Sequence, residues 1–441
     1  MAGEWQAVPL GTLTADHEGA VAIGPFGSAM KADEYASFGV PVIRGANLGG
    51  SRELKGDWVF IPDAFADAMP RCVVRQGDLV FPHRGAIGEV ALVPGDRDRY
   101  FMSTSFMKAT IDASKADPRF LMYYLKSDAG RAEIMRFASQ VGTPGIGQPL
   151  TSLRQFLVPC PSLGIQRAIA DLLWTLDDKI ELNRRMAATL EEMARALFKS
   201  WFVDFDPVRA KAEGRDPGLP AATADLFPDS FGEDGLPEGW SKASLLDHAR
   251  LISGGTPKTD EPTYWGGPIL WASAKDVSQC ADRFLTVTER TITRRGVEES
   301  ATRMVPALST VVVARGATTG RHCLFGREMA MNQTCYALHS EAGRPFWLAC
   351  TFSALVAELV HGAHGSVFDT ITTTTLQTAK IVHGSDEVIS AFERFVQPIY
   401  ERILSLVEEA AALRALRDTL LPKLISGELR IKDADKDVEA A

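Results

Sequence analysis

An internal repeat constrains the fold of this chain more than any other feature. The stretch RGAIGEVALV at residues 84–93 is matched by RGATTGRHCLF at residues 315–325. Five matched features occur in the same order in both halves: residues 40–48 with 267–277, 72–85 with 303–316, 103–110 with 331–338, 142–159 with 365–382, and a long heptad-patterned helix at the end of each copy. This ordered series indicates a diverged tandem duplication. At 441 residues the chain also exceeds the size of a single hydrophobic core, so two or more domains are expected.

The two helices carry apolar residues at alternating steps of three and four, which is typical of a coiled coil. The predicted helix-pairing residues are Leu173, Leu176, Ile180, Asn183, Leu190 and Leu197 in the first helix, and Ile399, Ile403, Leu406, Leu413 and Leu420 in the second. Arg417 interrupts the second series. Two seams of matching length favour antiparallel pairing with each other, with Asn183 fixing the register. The alternative is that each seam packs only on its own globular domain.

In each copy, short β-type runs and Gly/Pro turns precede the long helix. Each copy also has one shorter helical stretch, at 118–137 in the first and at 344–360 in the second. Each copy is therefore predicted to be a mixed α/β domain of about 150 residues. The predicted fold is two pseudo-repeated α/β domains joined by two long helices packed as an antiparallel coiled coil. The predicted order is a first domain at 1–162, a central helix at 163–203, an extended linker at 204–236, a second domain at 237–385, a distal helix at 386–428 and a disordered tail at 429–441.

The sequence lacks the motifs of common catalysts. It contains no phosphate-binding P-loop, dinucleotide fingerprint, zincin motif or nucleophile elbow. No Pro-Pro dipeptide completes an amino-methyltransferase signature, and the six scattered cysteines have no zinc-ligand spacing. Asp204 and Asp206 are a conceivable metal pair, although packing at a helix end is favoured. The chain is predicted to be non-catalytic, without a metal.

Hydropathy and net charge indicate the cellular location and the partners of the protein less specifically than the repeat indicates its fold. No apolar run reaches the roughly 18 residues that a membrane span needs, and no export signal is visible at the N-terminus, so a cytoplasmic protein is expected. The net charge of −9 argues against a simple basic DNA coat. It leaves room for a modular reader whose positive surface is local.

Two heads joined by a rigid helical pair suit recognition at a fixed separation. A helix of about 38 residues spans roughly 57 Å, which exceeds one DNA turn of roughly 34 Å. Arginine suits guanine edges, whereas asparagine and glutamine suit adenine. For each side chain, a solvated surface or turn role is the alternative. The candidate DNA-binding residues are Lys31, Arg44, Asn47, Arg84, Thr143, Gln148, Lys258, Ser273, Lys275, Arg315, Thr318, Arg321, Asn332 and Gln333.

Three stretches carry a family resemblance that covers essentially the whole chain. QRAIADLLWTLDDKIELNRRMAATLEEMARALFKSWFVDFDPV (166–208), LPEGW (236–240) and LRDTLLPKLISGEL (416–429) resemble conserved regions of the specificity (S) subunits of type I restriction-modification systems. The Arg-Gly-Ala stretches resemble those inside the target recognition domains of that family. The loop GTPGIGQP at 142–149 is less basic than a typical phosphate-gripping loop.

The resemblance implies a subunit of a phage-defence complex. Each copy would be a target recognition domain that reads one half of a bipartite, asymmetric sequence in double-stranded DNA. The helices would set the spacer and dock two modification (methyltransferase) subunits, and restriction (translocase-nuclease) subunits would join them. S-adenosylmethionine, ATP and Mg²⁺ would bind to those partners, and no cofactor to this chain.

Two alternatives remain at this point. One is a specificity partner of a fused restriction-methylation enzyme, and the other is an adaptor or scaffold that does not bind DNA. Neighbouring genes separate them, because a type I system has distinct methyltransferase and helicase-nuclease genes.

Overall fold

The computed structural model describes residues 5–26, 30, 34–49, 52, 54–139, 145–362 and 370–431. The chain divides into two compact units, residues 1–178 with 413–441 and residues 179–412. Each unit contains one copy of the repeat and a part of both long helices. The predicted tail lies mostly outside the described residues.

The helices of the described residues are α1 Asp63–Ala68, α2 Pro118–Lys126, α3 Asp128–Met135, α4 Pro149–Gln155, α5 Leu163–Phe202, α6 Asp206–Ala212, α7 Ala221–Ala224, α8 Ala274–Gln279, α9 Arg294–Glu298, α10 Pro345–Gly362, α11 Thr373–Thr378 and α12 Asp386–Ser426. In the described part of the chain, no helix combines the length and the apolar character needed to cross a membrane.

The strands of the first copy are β1 Ala7–Pro9, β2 Val21–Ile23, β3 Val40–Ile43, β4 Val59–Ile61, β5 Val73–Val74, β6 Leu79–Pro82, β7 Ala91–Leu92, β8 Tyr100–Met102, β9 Phe106–Ala109, β10 Ala138–Ser139, β11 Gly145–Ile146 and β12 Leu157–Pro159. The strands of the second copy are β13 Ser241–Ser244, β14 Arg250–Ser253, β15 Trp265–Ala272, β16 Phe284–Leu285, β17 Arg290–Ile292, β18 Met304–Val305, β19 Thr310–Val313, β20 His322–Phe325, β21 Met329–Met331, β22 Cys335–His339 and β23 Lys380–His383.

The sheets repeat the duplication strand by strand. The order β2-β9-β6-β7 in the first copy corresponds to β14-β22-β19-β20 in the second, where β16 adds an edge strand. The order β4-β3-β8-β5 corresponds to β17-β15-β21-β18, and β1-β12 corresponds to β13-β23. The pairs β3–β8 and β15–β21 are both parallel, whereas their flanking pairs are antiparallel. The predicted mixed α/β duplication is confirmed.

The copies differ in the helix that covers the sheets. The single α10 of the second copy corresponds to α2 and α3 of the first, which are separated at Ser127. Ser127 has an extended backbone, with ψ of 162°, and its hydroxyl accepts a hydrogen bond from Gly130 N at 3.3 Å. A serine that caps a new helix ends the preceding one.

The long helices pack against each other inside each unit. In the first unit, Leu173 and Leu176 of α5 share a buried cluster with Leu420 and Leu424 of α12. In the second unit, the ring of Phe198 lies 5.8 Å from that of Phe392. These apolar seams also contact the α/β domains, because the same clusters contain Phe120 in the first unit and Trp347 in the second. The predicted pairing of the two helices is confirmed, and the alternative that each seam packs only on its own domain is wrong.

The segment predicted as an extended linker is instead packed. It forms α6 and α7, and its Phe205, Val208 and Phe227 are buried. The ring of Phe227 lies 5.0 Å from Trp201, and that of Phe205 lies 5.7 Å from Trp240. Apolar residues spaced among the prolines and glycines supply this packing. The prolines and glycines therefore form turns between packed residues and do not make the segment an extended linker. Asp204 pairs with Lys199 at the end of α5, and Asp206 begins α6.

Candidate functional site

The predicted recognition loops of the first copy meet at one end of its sheets. We call this group, residues 24–26, 44–48, 83–88, 103–105 and 145–148, the first loop cluster. Four backbone hydrogen bonds join its strands and loops: Ser103 N to Ile43 O (3.1 Å), Gly24 N to Phe106 O (2.8 Å), His83 N to Ser105 O (2.8 Å) and Ile146 N to His83 O (2.9 Å). Segments that are distant in sequence thus form one surface.

The second copy builds the same arrangement. Its loops 254–258, 273–277, 314–321, 332–334 and 370–371 form what we call the second loop cluster. The corresponding bonds are Asn332 N to Ala272 O (2.9 Å), Gly254 N to Cys335 O (3.3 Å), Ala314 N to Thr334 O (2.8 Å) and Ile371 N to Ala314 O (2.8 Å). Each unit therefore presents one such surface.

Arg84 and Arg315 occupy equivalent places in the two loop clusters. Each follows a buried central strand, β6 or β19, and each forms an isolated backbone bridge, to Gly145 and to Thr370 respectively. Both side chains are exposed. Among the described residues, neither guanidinium has a hydrogen-bond partner, so both are available to a ligand.

The backbone conformation explains the glycines of the two Arg-Gly-Ala motifs. Gly85 and Gly88 have φ of +80° and +93°, and Gly316 and Gly320 have φ of +103° and +88°. Only glycine adopts this left-handed region at little cost. The motif therefore encodes a tight turn that directs the preceding arginine outward.

Six other candidates are exposed in the loop clusters, and four of them make no side-chain hydrogen bond or ion pair among the described residues. These four are Gln148 in the first cluster and Lys258, Thr318 and Arg321 in the second. The loop of Lys258 is held in place because its carbonyl oxygen accepts a 3.0 Å hydrogen bond from the indole of Trp265. Guanidinium, ammonium, amide and hydroxyl groups of this kind bind phosphates and base edges.

Asn47 and Ser273 are turn residues and not surface readers. The Asn47 side chain is fully buried, where its Oδ1 accepts from Arg44 N at 3.0 Å and its Nδ2 donates to Lys55 O at 3.1 Å. Ser273 caps α8 through mutual hydrogen bonds with Asp276. Short polar side chains form caps and turns as readily as they bind ligands, and both of these side chains are engaged in such local hydrogen bonds.

The remaining candidates have partners within the protein or lie outside the described residues. Arg44 donates to Asp57 O at 2.8 Å, and Lys275 pairs with Glu289 at 2.7 Å. Asn332 Oδ1 accepts from the Thr334 hydroxyl at 2.9 Å, and Gln333 hydrogen-bonds the Thr256 hydroxyl. Lys31 and Thr143 lie outside the described residues.

The predicted helix-pairing residues lie on the inward faces of α5 and α12. Those that are buried are Leu173, Leu176, Ile180, Asn183, Ile403, Leu406 and Leu420, and those that are partly buried are Leu190, Leu197, Ile399 and Leu413. Asn183 Nδ2 donates to Glu409 Oε2 at 2.9 Å, and Lys179 pairs with the same carboxylate at 3.2 Å. This polar contact joins α5 to α12 across the seam.

Sequence reasoning missed Arg52, which ties the first loop cluster's neighbourhood to α5. Its guanidinium lies 4.2 Å from the ring centre of Trp174, donates to Trp174 O at 3.3 Å and pairs with Asp178. The local sequence gives little indication of this contact, because a single arginine in a loop does not predict a partner 122 positions away.

The chain is similar in sequence to a family of known proteins. Residues 29–192 match the family described as the type I restriction modification DNA specificity domain. The chain is 29% identical over 412 residues to the type I restriction enzyme HindI specificity subunit of Haemophilus influenzae, across 81% of this chain and 87% of that protein. It is 22% identical over 389 residues to the type I restriction enzyme MjaIX specificity subunit of Methanocaldococcus jannaschii, across 83% and 81%.

A solved structure shares the fold. The S subunit of a type I restriction-modification system from M. genitalium matches with a TM-score of 0.58 at 14% identity, over 95% of this chain and 96% of that one.

Proposed function

We infer that this chain belongs to the specificity-subunit family of type I restriction-modification systems, and we propose that each loop cluster reads one half of a bipartite, asymmetric DNA sequence. The observation that carries the proposal is the equivalence of Arg84 and Arg315, exposed at the same place in two duplicated domains. Their loops differ in length and charge, since RGAIGE is answered by RGATTGR. Two loops that differ on equivalent domains are suited to half-sites that differ in sequence. The chain is the non-catalytic, DNA-recognising subunit.

The long helices would set the distance between the half-sites. At a rise of about 1.5 Å per residue, the 40 residues of α5 measure roughly 60 Å. Added or removed heptads would change the unspecified spacer, while the bases read at each end would stay the same. The packed seam and its polar contact at Asn183 support this role.

One face of α5 offers a docking surface for the methyltransferase subunits. Leu182, Met186 and Met193 are 52%, 38% and 55% exposed. Their spacing of four and seven residues places them on one stripe of the helix. Exposed apolar stripes mark protein interfaces, and methionines adapt readily to a partner surface. S-adenosylmethionine, ATP and Mg²⁺ would act on the methyltransferase and restriction subunits, in the cytoplasm where the DNA lies.

Modified-base sequencing tests the proposed function directly. Genomic DNA from cells with the gene should contain a split adenine-methylation motif that disappears when the gene is deleted and the methyltransferase gene is kept. Expression of Arg315→Ala in the deleted strain should weaken or relax one half of the motif only. An unchanged methylome, with the methyltransferase shown to be expressed, would count against DNA recognition.

The docking surface needs its own experiment. Met186→Glu with Met193→Glu should abolish co-purification with the methyltransferase, because two charges would enter an apolar contact. Glu192→Lys, an exposed change beside the stripe, is the matched control and should leave co-purification intact. Binding by the methionine variant would place the docking surface elsewhere.

A further inference from the structure

A series of hydrogen bonds and one ion pair in the second copy leads from the RGATTG loop to α5, and we infer that His322 is a positioning residue that holds this loop in its recognition conformation. The inference rests on the proposed function, because the loop carries Arg315, Thr318 and Arg321. His322 is the first residue of β20, immediately after the loop.

Both ring nitrogens of His322 are engaged. Nδ1 lies 2.8 Å from Gly320 O, the carbonyl that ends the left-handed turn of the loop. Nε2 lies 2.9 Å from the hydroxyl of Ser353 on α10. The ring also meets Phe352 edge-on, with 5.4 Å between ring centres. The imidazole is therefore fixed in position and rotation.

The chain continues beyond Ser353 to the long helix. Arg283 Nη1 lies 3.4 Å from the Ser353 hydroxyl and 3.9 Å from Glu191 Oε1 on α5. The Arg283 side chain is only 8% exposed, so these contacts are shielded from water. Glu191 is shared with Arg195 of the same helix at 3.1 Å. His322, Ser353 and Arg283 thus connect the loop to Glu191 of α5.

The direction of each hydrogen bond follows from what each group can donate. Gly320 O only accepts, so Nδ1 carries the ring proton. Burial, assisted by the charge of Arg283, lowers the pKa of His322 to about 4, so the ring is neutral near pH 7 and Nε2 accepts. The Ser353 hydroxyl accepts from Arg283 and shares its single proton between Nε2 and Ala349 O, which is 2.8 Å away.

The first copy lacks this device. Strand register places Val90 where the second copy has His322, since Val80 pairs with Ala91 and Val311 pairs with Cys323. Val90 is buried and has no polar side-chain atom. The first loop is also one residue shorter, RGAIG against RGATTG. A longer loop loses more conformational entropy when it is ordered, so a tether is useful in the second copy alone.

Hydrogen exchange on the full-length chain tests the tether without knowledge of the DNA target. His322→Phe keeps a ring against Phe352 but removes both hydrogen bonds, and Ser353→Ala breaks the chain while leaving β20 intact. In both variants the amides of residues 317–321 should exchange about tenfold faster. His322→Asn, whose amide can donate to Gly320 O, should restore part of the protection. His339→Phe is the control, because that ring contacts Ser309 and not the loop.

DNA binding by the same variants separates the tether from the proposed function. After the methylation motif is known, His322→Phe and Ser353→Ala should lose about tenfold discrimination at one half-site and none at the other. Unchanged exchange in both variants, or equal acceleration in His339→Phe, would overturn the tether. Faster exchange in the loop with unaltered discrimination at both half-sites would uphold the tether and contradict DNA reading by this loop.

Discussion

Arg417 Nη1 lies 2.5 Å from Oδ1 of Asp177, which gives the residue that interrupts the apolar series of α12 a buried partner on α5. The other oxygen of Asp177 accepts a 2.6 Å hydrogen bond from the hydroxyl of Tyr123 on α2. One carboxylate, only 10% exposed, therefore binds the two long helices and the first α/β domain together. A break in a hydrophobic pattern here marks a specific polar contact.

We expect Arg417→Ala to lower the free energy of unfolding by about 2 kcal/mol. The substitution leaves the Asp177 carboxylate buried without its cation, which costs about 3–5 kcal/mol in fully buried pairs, and the 21% exposure of Arg417 moderates that cost. Chemical denaturation measures the change. Arg185→Ala is the matched control, because that arginine is 67% exposed and pairs with Glu181 one turn away; it should cost less than about 0.5 kcal/mol. Equal losses of unfolding free energy in the two variants would show that the Arg417–Asp177 contact does not stabilise the packing of the helices.

Asn183→Leu should raise the melting temperature by about 2–4 °C while broadening the helix register. The Asn183 carbonyl oxygen is buried without a partner among the described residues, so its removal relieves a desolvation cost. Glu409 keeps its contact with Lys179. Thermal unfolding gives the first quantity, and the distance distribution between spin labels on α5 and α12 gives the second. A lower melting temperature with a sharp distribution would mean that the amide contributes stability and not register.

The sequence predicted the parts of the fold that depend on local pattern. Matched motifs fell on equivalent strands, and the Arg-Gly-Ala turns recur because two left-handed positions demand glycine in each copy. Packing between distant segments could not be read in this way. Phe227 among prolines and glycines has no local sign of its contact with Trp201, and the buried Asn47 looks identical in sequence to an exposed reader.

The unfolding free energy should depend on pH through Glu393. This side chain accepts from Phe346 N at 3.1 Å and Trp347 N at 2.8 Å at the start of α10. Burial raises the pKa of Glu393 from its ordinary 4.5 to about 7. The folded state therefore holds the proton more tightly than the unfolded state, and this contribution to stability, present below pH 4.5, is lost as the pH rises toward 7.

The measurement for Glu393 is the difference in unfolding free energy between the wild type and Glu393→Gln across that range. The difference should fall by about 3 kcal/mol as the pH rises to 7, since the pKa lies at about 7 in place of 4.5 and each pKa unit corresponds to about 1.4 kcal/mol. The amide does not titrate, so the variant is its own control for every other group. Parallel pH profiles would show that the carboxyl is not protonated in the folded state.

Gly24 and Gly254 should each resist substitution by alanine. A Cβ atom would lie 2.0 Å from Ser103 O at Gly24 and 1.9 Å from Asn332 O at Gly254, which forces the backbone to move. We expect losses of about 1–3 kcal/mol, typical of overpacking. Faster hydrogen exchange should stay within the loop cluster of the altered copy. Gly147→Ala, in the first loop cluster but with open space around it, should have little effect; a comparable loss there would remove the steric explanation.

Arg84→Ala and Arg315→Ala should each weaken DNA binding by about 1–3 kcal/mol if the guanidinium reads a base. Because the two arginines occupy equivalent places in separate copies, each variant should relax recognition at a different half-site. Arginine binds guanine through two parallel hydrogen bonds, which lysine cannot reproduce, so Arg→Lys should also lose selectivity. A phosphate contact would behave differently: lysine would largely replace arginine, the loss would be uniform across DNA sequences, and the salt dependence of binding would fall by about one ion. Titrations of both variants against duplexes altered in one half at a time, at two salt concentrations, distinguish these cases. Affinity equal to that of the wild type and of Arg185→Ala would assign the arginine to the turn alone.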